Sequence, residues 1–130
     1  MSNGMVLTNA GREVLMLALD GLELHFTRGA VGDGTAPEDV TELNGLVHEV
    51  LSLNIQETVT HNNGTFEVRL QVTNQTLASG FWLKEYGLFA RHPQTQQEVL
   101  YAYCNKGSQS GYLEGFDGAN PVTFLLRLIT

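Results

Sequence analysis

Two alternating runs of apolar and polar residues flank Asn62-Asn63-Gly64, and this stretch, from Leu46 to Val72, restricts the backbone of the 130-residue chain more than any other. Asn63-Gly64 suits the paired positive φ angles of a type I′ turn, whose twist matches that of two antiparallel strands. Set on that turn, the hairpin predicts Val59 opposite Val68, Ile55 opposite Val72 and Thr58 opposite Arg69. Leu51, Leu53, Ile55 and Val59 then share a face with Phe66, Leu70 and Val72, and a slip of one residue would turn one of these sets into water. Glu57 opposite Leu70 is the exception, placed at the sheet margin.

The neighbouring segments follow the same logic. From about residue 9 to 20, Ala10, Val14, Leu17 and Ala18 recur at helical spacing, with Leu15 and Leu19 widening the stripe. Thr8 or Asn9 is placed to cap this helix and Gly21 to end it. Leu22, Leu24 and Phe26 then alternate with polar residues, predicting a strand that continues through Arg28 to Val31. Asp33, Glu38, Asp39 and Glu42 mark an exposed acidic loop after Gly32. Phe81–Ala90 and Glu98–Cys104 read as a second hairpin around His92-Pro93-Gln94-Thr95. Asn105–Asn120, with four glycines, reads as a long mobile loop, and Pro121–Thr130 as a final strand. The expectation is one α+β domain over residues 1–130, its N-terminal helix packed on an antiparallel β-sheet or small β-sandwich. Because the chain ends inside a strand, the native polypeptide is expected to continue.

Charge narrows the possible partners. Fourteen acidic against seven basic residues leave a net charge of −7, which provides no general attraction for nucleic acid or an anionic membrane surface. The apolar run Val14–Leu19 is too short to span a bilayer and no basic leader precedes it, so synthesis in a cytoplasm is expected. Cys104, the only cysteine, cannot form an internal disulfide and reads as a buried, inert thiol.

Reactive patterns are lacking. His48-Glu49-Val50-Leu51-Ser52 has Ser52 where a zinc-binding helix needs its second histidine. Gly29-Ala30-Val31-Gly32-Asp33-Gly34 follows a strand, as a phosphate loop does, but no Lys-Ser/Thr pair or helix completes it. The carboxylates from Asp33 to Glu42 miss the ordered spacing of a calcium loop, and no serine lies in a nucleophile elbow. No catalytic residue, metal or cofactor is assigned.

Phe81, Tyr86, Phe89 and Trp82, the only tryptophan of the chain, crowd the segment Ser79–Ala90. In an unbroken strand Glu85 would share the apolar side with Phe81 and Leu83. A carboxylate there needs a cation, with Arg28 and Arg69 as candidates, or backbone amides, unless a bulge or strand end returns it to solvent. Phe81, Leu83, Leu88 and Phe89 are expected inside. Trp82 and Tyr86, with the acidic loop around Asp33, are the expected partner surface, since a rigid ring with a polar handle contributes most at an interface.

Leu7-Thr8-Asn9-Ala10-Gly11, Ala30-Val31-Gly32-Asp33-Gly34, Leu46-Val47-His48-Glu49, Gly80-Phe81-Trp82-Leu83-Lys84-Glu85-Tyr86-Gly87-Leu88-Phe89 and Leu100-Tyr101-Ala102 follow one another in an order and spacing that resemble the N-terminal domain of the phage tail-collar fibre family. The resemblance implies a non-enzymatic virion structural protein of a phage, prophage or phage-tail-like bacteriocin. It implies docking on baseplate or tail proteins, and a homo-oligomer, a trimer, in the assembled fibre. A carbohydrate-binding module for host cell-surface polysaccharide, its rings stacking on sugars, is the alternative; a small polysaccharide hydrolase is the third.

Overall fold

The computed structural model describes residues 5–22, 24–60, 66–107 and 110–129. In chain order these form β1 (Val6–Leu7), α1 (Asn9–Leu19), β2 (His25–Gly32), a short 3-10 turn (Val40–Glu42), β3 (Glu49–Leu53), β4 (Ile55–Thr60), β5 (Phe66–Thr73), β6 (Phe81–Leu83), β7 (Glu85–Arg91), β8 (Glu98–Asn105), β9 (Gly111–Leu113) and β10 (Thr123–Ile129). The strands pair antiparallel in three sheets, ordered β1-β8-β7-β2-β3, β10-β5-β4 and β6-β9. The fold is α+β, as expected.

Helix α1 begins where Thr8 Oγ1 accepts the Gly11 amide at 2.9 Å. It ends in a left-handed turn: Gly21 has φ +97°, its amide donates to the Ala18 carbonyl, and the Leu22 amide reaches back to the Leu17 carbonyl, each at 3.1 Å. Thr8 itself is buried, donating its hydroxyl to the Leu100 carbonyl and its amide to the Tyr101 carbonyl. The helix lies so close to β8 that a Cβ on Gly11 would sit 1.9 Å from the Tyr101 carbonyl oxygen. Val14 is fully buried, whereas Leu19 is 79% exposed and does not widen the buried stripe. Five residues beyond Val14, it is rotated about 140° around the helix axis. The strand after the helix starts at His25, later than the alternation from Leu22 predicts.

The larger core draws on α1 and all three sheets, with Val14, Val31, Leu88, Tyr101, Leu70, Val72, Leu126, Phe81 and Leu113 among its members. Fully burying each aliphatic side chain contributes about 2 kcal/mol. Gly29 of β2 faces the second sheet so closely that a Cβ would meet Leu70 Cδ2 at 2.3 Å. A smaller core, Ala30, Phe89, Leu100 and Tyr103, is covered by Ala36, Val40, Leu43 and Leu46. The segment expected to be merely an exposed acidic loop is therefore a lid. Its carboxylates Glu38, Asp39 and Glu42 point to solvent while its apolar residues pack inward.

The β4–β5 register differs by one residue from the predicted one: Thr58 opposes Val68, Val59 opposes Glu67 and Glu57 opposes Arg69. The slip brings Arg69 Nη1 to 2.6 Å from Glu57 Oε2 while its Nε lies 2.6 Å from Glu67 Oε2. A register irregularity between Ile55 and Glu57 then sets Ile55 opposite Leu70, so the apolar contact survives the slip. The carboxylate that alternation left facing Leu70 faces Arg69 instead. The Asn62-Asn63-Gly64 turn lies outside the described residues.

The second hairpin is β7–β8, but Phe81–Ala90 is not one strand. It breaks at Lys84 into β6, paired with β9, and β7, paired with β2 and β8. Asn105–Asn120 is correspondingly not a plain loop. Within it Gly111–Leu113 forms β9, the Phe116 amide donates to the Leu77 carbonyl at 2.9 Å, and buried Asn74 donates to the Glu114 carbonyl at 2.9 Å. Neither contact is local, so alternation could not reveal them.

Candidate functional site

The break at Lys84 shapes the most organised polar cluster among the described residues. The Lys84 amide donates to the Gly32 carbonyl at 3.0 Å, and its carbonyl accepts the Lys106 amide at 2.7 Å. Glu85 is thereby turned away from the core side of Leu83 and onto the face of the large sheet that carries Gly87, Phe89 and Tyr103. Its side chain is completely buried. Oε2 accepts the amides of Gly34 at 3.1 Å and His48 at 2.7 Å; Oε1 accepts the Val47 amide at 2.9 Å and the Tyr103 hydroxyl at 2.7 Å.

Neither Arg28 nor Arg69 supplies the counter-charge. Arg28 bridges Glu49 at 3.1 Å and Glu98 at 3.0 Å while lying 4.0 Å above the Phe89 ring, and Arg69 is held by Glu57 and Glu67. Four oriented dipoles replace the cation, a stable arrangement because charge-assisted bonds from backbone amides offset the desolvation of a carboxylate. Burial, and beyond it the adjacent carboxylate, pushes the Tyr103 hydroxyl well above the ordinary tyrosine value, so it remains a donor. Asn105 donates to the Tyr103 oxygen and the Gly34 carbonyl, each at 3.1 Å, and accepts the Gly107 amide at 2.8 Å.

The sequence motifs converge here. Side chains at positions 32 and 34 would bring a Cβ to 2.6 and 2.7 Å from Glu85 Oε2, and at position 87 to 2.3 Å from Leu46 Cδ1. The glycines of Gly32-Asp33-Gly34 thus make room for a carboxylate of the protein itself, where a phosphate loop would cradle a ligand. Each Glu85 oxygen has two donors and no exposure, which makes the group an architectural tie with no free lone pair directed at a substrate.

The three expected surface residues separate. Trp82, on β6, is 53% exposed and stacks edge-on against Tyr112 of β9, 54% exposed, with ring centroids 5.1 Å apart and planes at 62°. Tyr86 is half-buried and packs against the larger core. Asp33 lies on the surface, its Oδ1 in hydrogen-bond contact with Nδ1 of the exposed His48. Trp82 borders a groove of about 450 Å³ lined by Thr35, Lys84, Asn105, Gly107 and Ser110 as well. Tyr112 escaped sequence reasoning because three residues between glycines carry too short an alternation to stand out.

Of the remaining polar groups, Asp39 accepts the Thr41 hydroxyl and amide, bonds that hold its carboxyl below the usual value and commit it to a turn. His92 is buried; its Nδ1 accepts the Gln94 and Thr95 amides at 3.2 Å, so Nε2 carries the proton donated to Glu13 at 2.7 Å. Among the described residues no cluster of three or more His, Cys, Asp or Glu could hold a metal ion, and no helix is long and apolar enough to cross a membrane. Burial pushes the Cys104 thiol up, away from the reactive thiolate. This chain matches no family model, no curated protein and no solved structure.

Proposed function

We propose that this chain is a non-enzymatic attachment domain, resembling the N-terminal domain of phage tail-collar fibre proteins, that docks a fibre on the baseplate or tail of a phage-like particle. In this reading it acts in the virion, as a homotrimer in the assembled fibre, with the helix and stacked sheets behaving as one sandwich-like rigid body. The observation that carries the reading is the convergence of Gly32-Asp33-Gly34, Val47-His48 and Glu85 on a single buried carboxylate. Three of the motifs behind the resemblance are thereby accounted for as requirements of one architecture. The exposed Trp82–Tyr112 pair next to the Lys84 kink supplies a gripping surface, since rigid aromatic side chains contribute strongly to interfaces at low entropic cost.

Particle assembly tests this. Particles built with Trp82→Ala and Tyr112→Ala should lose their fibres in electron micrographs, while the isolated variant keeps the wild-type melting temperature. A full complement of fibres on such particles would sink the reading.

The carbohydrate-binding alternative is favoured by the same exposed rings. A glycan array separates the two, because a connector leaves it blank and a sugar-binding module does not.

A further inference from the structure

Asn44 and Gly45 sit in the lid between Leu43 and Leu46, two of the residues that cover the smaller core. Asn44 is exposed, and among the described residues neither its carboxamide nor the backbone amides of Asn44 and Gly45 take part in a hydrogen bond. Glycine crowds its own nitrogen least, and a Cβ at position 45 would meet nothing within 4 Å, so no neighbouring element obstructs this peptide. We propose that Asn44 is a self-modifying site: the Gly45 nitrogen attacks the Asn44 side-chain carbonyl, and the product loosens the lid. The nitrogen gives up its proton and bonds to Cγ, the bond from Cγ to the side-chain nitrogen breaks, and ammonia leaves, closing a succinimide ring. Water then opens the ring at either carbonyl. One cut leaves aspartate at position 44; the other leaves isoaspartate, whose main chain runs through the side-chain carboxyl and is longer by a methylene. Asparagine and water become acid and ammonia, with no oxidant or cofactor in the balance. The inference goes beyond the attachment reading and does not depend on it.

Other asparagines lack this freedom. The Asn74 side chain is buried, donating to the Glu114 carbonyl at 2.9 Å and accepting the Val122 amide at 2.8 Å. Asn105 is held by Gly34, Tyr103 and Gly107. Asn120 precedes Pro121, which has no amide proton to lose. Asn3-Gly4 and Asn63-Gly64 lie outside the described residues. At position 44 the change reaches the fold, because the Val47 and His48 amides that bind Glu85 follow directly after Leu46. A longer main chain between Leu43 and Leu46 shifts one apolar anchor against the other. The new carboxylate also joins Glu38, Asp39 and Glu42 in a chain of net charge −7.

The full chain, incubated in heavy-oxygen water at neutral and mildly alkaline pH, then digested and weighed peptide by peptide, tests this. The Asn44 peptide should take up the label and accept a methyl group from an isoaspartate methyltransferase. It should convert at least about tenfold faster than the peptides holding Asn74 and Asn105, and faster still at the higher pH, since the attacking nitrogen must lose its proton. In Gly45→Ala the added methyl group should slow conversion at Asn44 at least about tenfold. After equal incubation the wild-type chain should unfold at a lower urea midpoint than Gly45→Ala, a difference that isolates position 44 because modification elsewhere is common to both. The proposal is overturned by an unlabelled Asn44, by a rate no faster than those of Asn74 and Asn105, by equal rates in wild type and Gly45→Ala, or by conversion that leaves the urea midpoint unchanged.

Discussion

Gly34 donates its amide to Glu85 Oε2 at 3.1 Å, and any side chain at position 34 would place a Cβ 2.7 Å from that same oxygen. The bond and the missing side chain are one requirement. The amide reaches the carboxylate because nothing stands between them, with Val47 Cβ also 2.6 Å from the site a Cβ would take.

Gly34→Ala should therefore destabilise the fold by about 2–3 kcal/mol, the size expected for overpacking combined with loss of a buried charge-assisted bond. Gly45→Ala is the control, since a Cβ there meets nothing within 4 Å and should change stability by less than about 0.5 kcal/mol. Urea unfolding of both variants measures the difference. Equal midpoints would mean that the lid segment does not depend on Glu85.

Glu85→Gln should cost more than Tyr103→Phe. The carboxamide turns an NH2 group toward donors and leaves buried N–H groups unsatisfied, a loss of about 2–4 kcal/mol. Phenylalanine at 103 removes one of four donors and should cost about 1–2 kcal/mol. The order of the two chemical-denaturation midpoints is the readout, and the reverse order would contradict the described bonding.

Stability should decline at both ends of the pH scale. Burial alone would raise the Glu98 carboxyl, but bonds from Thr27 and Arg28 outweigh it and hold Glu98 below its ordinary value. It therefore stabilises the fold above the unfolded carboxyl range, near about pH 4.3, and that contribution is lost as pH falls through the lower folded value. With Glu98 substantially exposed, the effect stays below about 1 kcal/mol. Tyr86, Tyr101 and Tyr103 shift the other way, raised chiefly by burial. Their unfolded forms ionise near about pH 10, so their contribution is present below that pH and lost above it. Glu98→Gln should flatten the acid limb of urea midpoint against pH and leave the alkaline limb unchanged. An alkaline limb beginning below pH of about 9 would contradict the assignment.

Trp82→Ala should change stability by no more than about 0.5 kcal/mol, because half the ring is already in water. Tyr101→Ala should cost about 3–5 kcal/mol, since that ring is fully buried and lies edge-on to Phe26 at 5.1 Å. Thermal melts distinguish the two. A large loss from Trp82→Ala would assign the ring to folding.

Local patterns in the sequence settled the local structure. Thr8 and Gly21 bracket the helix because capping and left-handed termination involve residues within one turn, and the Glu98–Cys104 alternation marks β8 because side-chain direction alternates within any strand. Alternation also showed that Glu85 would need partners. It could not identify them, because the amides of Gly34, Val47 and His48 lie dozens of positions away and come into reach only when the lid folds over β7. The β4–β5 register likewise appears only in the tertiary structure, where Glu57 pairs with Arg69 and Ile55 with Leu70 in place of the turn-based Ile55–Val72 alignment. The tertiary structure also brought β9 to β6, setting Tyr112 against Trp82. Propensity and periodicity act over a few residues, whereas desolvated charges and close packing are resolved only among groups that the whole fold has assembled.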